Sequence, residues 1–167
     1  MSSRWDDWDI KCPSAVIDGT DFPICEPTSM GRTARKRFFA KKTGGPALRY
    51  VFATHVETSA FIWVSQAFPG GTSEALICIS CLQDCMLPGE RFLADRLFRH
   101  YPDHFITSPS YDCEQTRRLN SVRSRIERRI GRLASFSFLC QRYRSDDYSF
   151  HALVVEVLCR IINFVGL

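Results

Sequence analysis

Ala15-Val16-Ile17-Asp18, followed by Gly19, is the stretch that decides how the rest of the chain is read. Three apolar residues, two of them β-branched, close on a carboxylate. This is the pattern of a buried strand that carries an acid to its end, and Gly19 predicts a turn just beyond it. A second run of the same form, Phe92-Leu93-Ala94-Asp95, lies far downstream. Between them, Leu48 to His55 and Ala60 to Phe68 are rich in β-branched and aromatic residues and are joined by Val56-Glu57-Thr58-Ser59, which predicts a β-hairpin ended by Pro69-Gly70-Gly71.

Ser73 to Cys85 has helical periodicity, with Thr72 or Ser73 placed to cap it and Pro88-Gly89 to stop it. His104 to Thr107 is a further strand candidate. Leu119, Val122, Ile126, Ile130 and Leu133 form one apolar stripe on a long helix, and Glu127 sits beside that stripe. Phe150 to Phe164 predicts a last helix, apolar enough to pack on a sheet. The order strand, hairpin, helix, strand, strand, long helix, helix fits an α/β fold of the ribonuclease H type: a mixed sheet flanked by helices.

The chain of 167 residues, 45% of them hydrophobic, supports one substantial core, so a single domain over residues 14–167 is expected after an N-terminal arm of residues 1–13. The start is acidic and aromatic rather than signal-like, and no stretch is expected to approach the length needed to cross a bilayer. That reading predicts a soluble, intracellular protein without a membrane partner. Its eight cysteines are read as reduced thiols. Cys78, Cys81 and Cys85 are spaced to line a helix face, and with no second ligand pair a zinc site is not expected.

The net charge of +4 is modest, but two blocks concentrate the positive charge: Arg32 to Lys42 and Arg117 to Arg132. Flanking the candidate acids, they suit a phosphate backbone, although such blocks are also ordinary solvated faces. Phosphodiester cleavage by two metal ions needs hard oxygen ligands, and three carboxylates suffice. On spacing alone, Asp18, Asp95 and Glu127 are three acids among eighteen. Asp18 also reads as a turn residue, Asp95 as a helix cap, and Glu127 as the ion-pair partner of Arg123 one turn earlier.

The neighbouring residues narrow the choice. VIDGTDFPI (16–24), FFAKKTGGPALRYVF (38–52), FLADRLF (92–98), RLNSVRSRIERRIGRLASFSFLCQRYR (118–144) and the tail from Phe150 to Phe164 resemble, in this order, the segments of DDE superfamily endonucleases of the Harbinger-like and related insertion-sequence transposases. The resemblance sets Asp18, Asp95 and Glu127 as the catalytic, metal-binding acids. It implies two Mg²⁺ or Mn²⁺ ions, DNA as substrate, and cleavage with strand transfer by in-line displacement without a covalent protein intermediate. Lys36, Arg37, Lys41, Lys42, Arg123, Arg128 and Arg129 would hold the phosphates. DNA as substrate implies the nucleus in a eukaryote or the cytoplasm in a bacterium.

The chain departs from the family pattern at two places. Where the family has Pro-Gly-Ser-x-His-Asp, this chain has Pro69-Gly70-Gly71-Thr72-Ser73-Glu74, and the Lys-Gly-Tyr expected after the second acid is Arg96-Leu97-Phe98. These departures bear on activity rather than fold, and they keep a second expectation open: a domesticated or decayed core that binds DNA or protein without cutting. The family's helix-turn-helix region does not fit in the dozen or so residues ahead of the first strand, so recognition of transposon ends is expected to come from a separate partner protein, to be missing, or to lie on a part of the protein not present here. A homo-oligomer is compatible with either reading.

Overall fold

A computed structural model describes residues 13–82, 85–109 and 113–166, so the expected arm lies almost wholly outside the described residues. Along the chain come β1 (Ala15–Pro23), α1 (Arg32–Lys36), β2 (Phe39–Ala40), β3 (Gly45–His55), β4 (Phe61–Val64), β5 (Phe68–Pro69), α2 (Glu74–Cys81), β6 (Phe92–Ala94), β7 (Phe105–Thr107), α3 (Glu114–Ala134), α4 (Ser137–Cys140) and α5 (Tyr148–Val165). The turn expected at Gly19 is absent. β1 runs on to Pro23 because β3 pairs with it antiparallel over its whole length, from Ala15↔His55 to Pro23↔Ala47.

The sheet order is β2-β3-β1-β6-β7, and β4 and β5 also pair with β3. The anticipated second hairpin strand is therefore split: Phe61–Val64 and Phe68–Pro69 meet different parts of β3. β6 runs parallel to β1, and β7 parallel to β6. Antiparallel strands on one side of β1 and parallel strands on the other, with helices on both faces, make the α/β ribonuclease H-like sheet expected from the sequence.

Strand alternation splits the core in two. Val16, Phe22, Tyr50 and Leu93 face the α3 stripe, in which Leu119, Val122, Ile126, Ile130 and Leu133 are all buried, together with Val155, Cys159 and Ile162 of α5. Ala15, Ile17, Val51 and Ala53 face the other way, onto Ala75, Ile77 and Cys78 of α2 and Phe98. Burying each of the larger aliphatic chains contributes about 1.5–3 kcal/mol, so the stripe alone fixes α3 firmly on the sheet.

The cysteine helix face is only partly as expected. Cys78 is buried, with burial pushing its thiol up to about 12, but Cys81 is half-buried and Cys85 lies exposed beyond the helix. Ser73 occupies the cap position of α2 without a side-chain hydrogen bond.

α5 docks through a buried stripe of His151, Val155, Cys159 and Ile162, and the Asn163 side chain exchanges two hydrogen bonds with the Phe61 backbone, at 2.9 and 2.8 Å. Its outer side leaves Phe150, Leu153, Val157, Ile161 and Phe164 exposed. One expectation is corrected here: by length and composition these 18 residues are long and apolar enough to cross a membrane.

His151 is fully buried among Phe22, Tyr50, Phe138 and Tyr143, and its Nδ1 shares a 2.7 Å hydrogen bond with the Tyr50 hydroxyl. Burial lowers its pKa to about 4. Between the ordinary value of 6.5 and about 4, the unfolded chain binds the proton more readily, so stability is present above this window and is lost as pH falls through it. We expect the urea midpoint to fall between pH 7 and pH 4.5 less steeply in His151→Phe than in the wild type. Equal pH slopes would show that another group carries the acid sensitivity.

Candidate acid site beside helix α3

The register of β1 against β6 builds the site. Val16 lies opposite Leu93 in this parallel pair, and both side chains face α3. Two residues further along each strand, Asp18 and Asp95 come out on that same side. β6 ends at Ala94, leaving Asp95 at the strand's tip, where its carboxylate accepts a hydrogen bond from the Arg96 backbone N–H and caps the short 3-10 turn Arg96–Phe98. α3 crosses this side of the sheet, and Glu127, next to Ile126 in the buried stripe, looks outward.

Arg123, one turn ahead of Glu127, ties the acids together. Its Nη1 lies 3.8 Å from Asp95 Oδ1 and its Nη2 3.6 Å from Glu127 Oε1. The side chain is 18% exposed, against 42% for Asp95 and 55% for Glu127. Asp18 is the most enclosed of the three acids. Burial raises its pKa, opposed by the Gly19 backbone N–H at 2.9 Å and the charges of Lys42 and Arg123, while Glu127 pushes it further up. The capping of Asp95 and the Arg123–Glu127 pair are both present, as the plainer readings of these residues anticipated. They coexist with Asp18 and Asp95 lying on the α3 side of the sheet, where the charge of Glu127 bears on Asp18.

A fourth carboxylate was missed. Glu74, in the first turn of the helix expected from Ser73 to Cys85, folds over Gly19: a Cβ on Gly19 would stand 2.4 Å from Glu74 Cδ. Burial raises the Glu74 pKa, Arg49 opposes this, and Asp18 raises it further, so the two acids sense one another. The available signal was positional, since Glu74 takes the place of the Asp that ends the family's Pro-Gly-Ser-x-His-Asp segment. Beside it, Arg49 clamps Asp21 through two hydrogen bonds of 2.7 and 2.8 Å and donates a third, of 2.7 Å, to the Thr72 carbonyl. Asp21 and Arg49 are direct cross-strand partners.

The donor chemistry of Asp18, Asp95 and Glu127 suits a hard divalent ion, but their spacing in this conformation does not. Arg123 stands between two of the carboxylates, and among the described residues no three His, Cys, Asp or Glu side chains are close enough together to hold an ion.

The phosphate-binding candidates divide into two groups. Lys36 and Arg37 end α1, and Lys41 and Lys42 follow β2; all four are exposed, with Lys42 near enough to lower the Asp18 pKa. On α3, Arg128 is exposed and Arg129 half-buried, and with Arg125 and Arg132 they line a depression of about 280 Å³ against Thr58 and Ser59. Arg123 belongs to neither group, because its guanidinium is turned onto the acids.

No curated protein and no solved structure matches the chain. The family described as DDE superfamily endonuclease matches residues 17–163, a span that begins one residue before Asp18 and takes in Asp95 and Glu127. A match over most of the chain, on a ribonuclease H-like sheet, establishes that this protein belongs to the DDE superfamily endonucleases.

Proposed function

We propose that the chain cleaves DNA phosphodiester bonds and transfers the cut strand, with Asp18, Asp95 and Glu127 as its acids and Mg²⁺ or Mn²⁺ as the required ion. The family makes a nuclease or transposase-type function and a DNA substrate the starting point, and its members generally use divalent metals. The observation that supports the residue assignment is the parallel register Val16↔Leu93, which brings Asp18 and Asp95 out beside α3. Lys36, Arg37, Lys41 and Lys42 would hold the DNA backbone on one flank, and Arg128 and Arg129 on another. The site of action would be wherever the cell keeps its DNA.

The test is nicking of supercoiled plasmid. Conversion to open circle with Mn²⁺ or Mg²⁺ and its loss in EDTA is the expected result, and nicking that persists in EDTA would overturn the metal requirement. A second reading, a core that binds DNA without cutting, is favoured by the Arg123 guanidinium lodged between Asp95 and Glu127. It would show salt-dependent DNA binding, unchanged when the acids are neutralised, and no specific stabilisation by Mn²⁺.

A further inference from the structure

In the second half of α3, Arg125, Arg128, Arg129 and Arg132 fall at i, i+3, i+4 and i+7 and so stand on one face of the helix. At about 100° per residue, that face lies roughly 150° around α3 from Glu127, with the buried stripe between them. The four arginines are therefore set apart from the acids. They line a depression of about 280 Å³ whose other wall is the β3–β4 turn, from Glu57 to Ser59. Arg125 ties the two walls together, donating from Nη1 to the Val56 carbonyl at 3.2 Å. Such a face costs the helix stability, because Arg125 repels Arg128 and Arg129 at like-charge spacings of three and four residues, and Arg132 repels the same two. Glu57 is the one acid in the lining, and among the described residues neither it nor any of the four arginines forms an ion pair. The Arg129 Nη1 is buried without a hydrogen-bond partner. Burial, and after it the charge of Arg132, lowers the Arg129 pKa, as positive charge without a counter-anion does.

We infer that this depression is an anchoring site for the sugar-phosphate backbone of DNA, holding it at a point across α3 from the acids. An anion seated there offsets the repulsion among the arginines and brings acceptors to their unpaired N–H groups. Guanidinium forks match the oxygens of a phosphate, and the hydroxyl-bearing Thr58 and Ser59 complete a polar wall opposite them. The row from Arg125 to Arg132 runs about 10 Å along the helix, which suits successive phosphates of a strand better than a single free one. The inference rests on the reading that the chain acts on DNA, and is independent of the acids and their ion.

The experiment measures binding of a fluorescein-labelled DNA duplex to the full chain in EDTA, by anisotropy over a range of salt concentrations. Three proteins are compared: wild type, Arg128→Gln combined with Arg132→Gln, and, as a control of equal charge change, Arg142→Gln combined with Arg144→Gln in the exposed segment after α4. The depression variant is expected to bind about tenfold more weakly and to lose roughly one to two units from the slope of log affinity against log salt, while the control stays within about twofold of wild type. Either single substitution, Arg128→Gln or Arg132→Gln, serves if the double variant does not fold. Equal losses in the two variants would make the effect one of net charge and overturn the inference. Thermal stabilisation by inorganic phosphate that the depression variant loses, with its DNA affinity at the wild-type level, would assign the depression to a free phosphate compound and overturn it as well. DNA binding insensitive to Arg128 and Arg132 would overturn the anchoring site alone, whereas a wild-type chain that binds no DNA would overturn the DNA reading with it.

Discussion

Asp18→Asn is expected to lower the rate of DNA nicking by at least about a thousandfold, some 4 kcal/mol of barrier, and at the same time to raise the melting temperature at pH 7. Both effects come from the same buried charge. Burial is the largest influence on Asp18 and raises its pKa above the usual 3.8, despite Gly19, Lys42 and Arg123. A raised value in the folded state means that the native protein holds the proton more tightly than the unfolded chain. Stability is therefore lost as pH rises from 3.8 through the raised pKa, and the full penalty applies above it.

Asparagine keeps the acceptor for the Gly19 N–H and removes the charge. Its advantage should be complete at neutral pH and vanish near pH 3.8, where both side chains are neutral. A gain on the order of 1 kcal/mol would correspond to about 2–4 °C. Plasmid nicking and a melting curve at pH 4 and pH 7 check the two halves separately. Wild-type nicking in the variant would remove Asp18 from the reaction, and a lower melting temperature at pH 7 would contradict the burial argument.

The second large effect concerns Arg49→Ala. Asp21 has a side chain only 1% exposed, and Arg49 is its sole ion-pair partner among the described residues. Removing one member of a buried pair leaves an uncompensated charge, at a cost of about 3–5 kcal/mol, a large part of the roughly 5–15 kcal/mol that holds a domain folded. Arg49 also holds the Thr72 carbonyl ahead of α2, so the loss extends to the segment that carries Glu74. Urea unfolding should show this drop, and Asp21→Leu combined with Arg49→Met should recover most of it, because apolar replacement of both partners removes the stranded charge. A single Arg49→Ala variant within about 1 kcal/mol of wild type would show that water reaches Asp21 after all.

Much of this architecture was legible in the residues. The two apolar runs ending in acids became β1 and β6, and the spacing of Leu119 to Leu133 became the buried face of α3. Those signals are local, set by side-chain periodicity within one element. What escaped depends on which elements meet. Asp21 and Arg49 look unrelated until β1 is laid antiparallel to β3, and Glu74 looks like any helix-starting acid until α2 is placed over Gly19. The turn at Gly19 failed for the same reason, since a local turn preference gave way to a long strand partner. For the acids the sequence supplied an order, and tertiary packing supplied the guanidinium that now separates two of them.

The pairing of Val16 with Leu93 also makes the strand leading to Asp95 sensitive to counting errors. Side chains alternate along a strand, so deleting or inserting a single residue between Leu93 and Asp95 would send the second carboxylate to the α2 face, away from Glu127. A change of two residues would preserve its side while shifting its height. The short strand thus carries two constraints at once: its parity sets the face on which the carboxylate emerges, and its length sets how far that carboxylate stands from Glu127, a two-residue insertion moving it by roughly 6–7 Å.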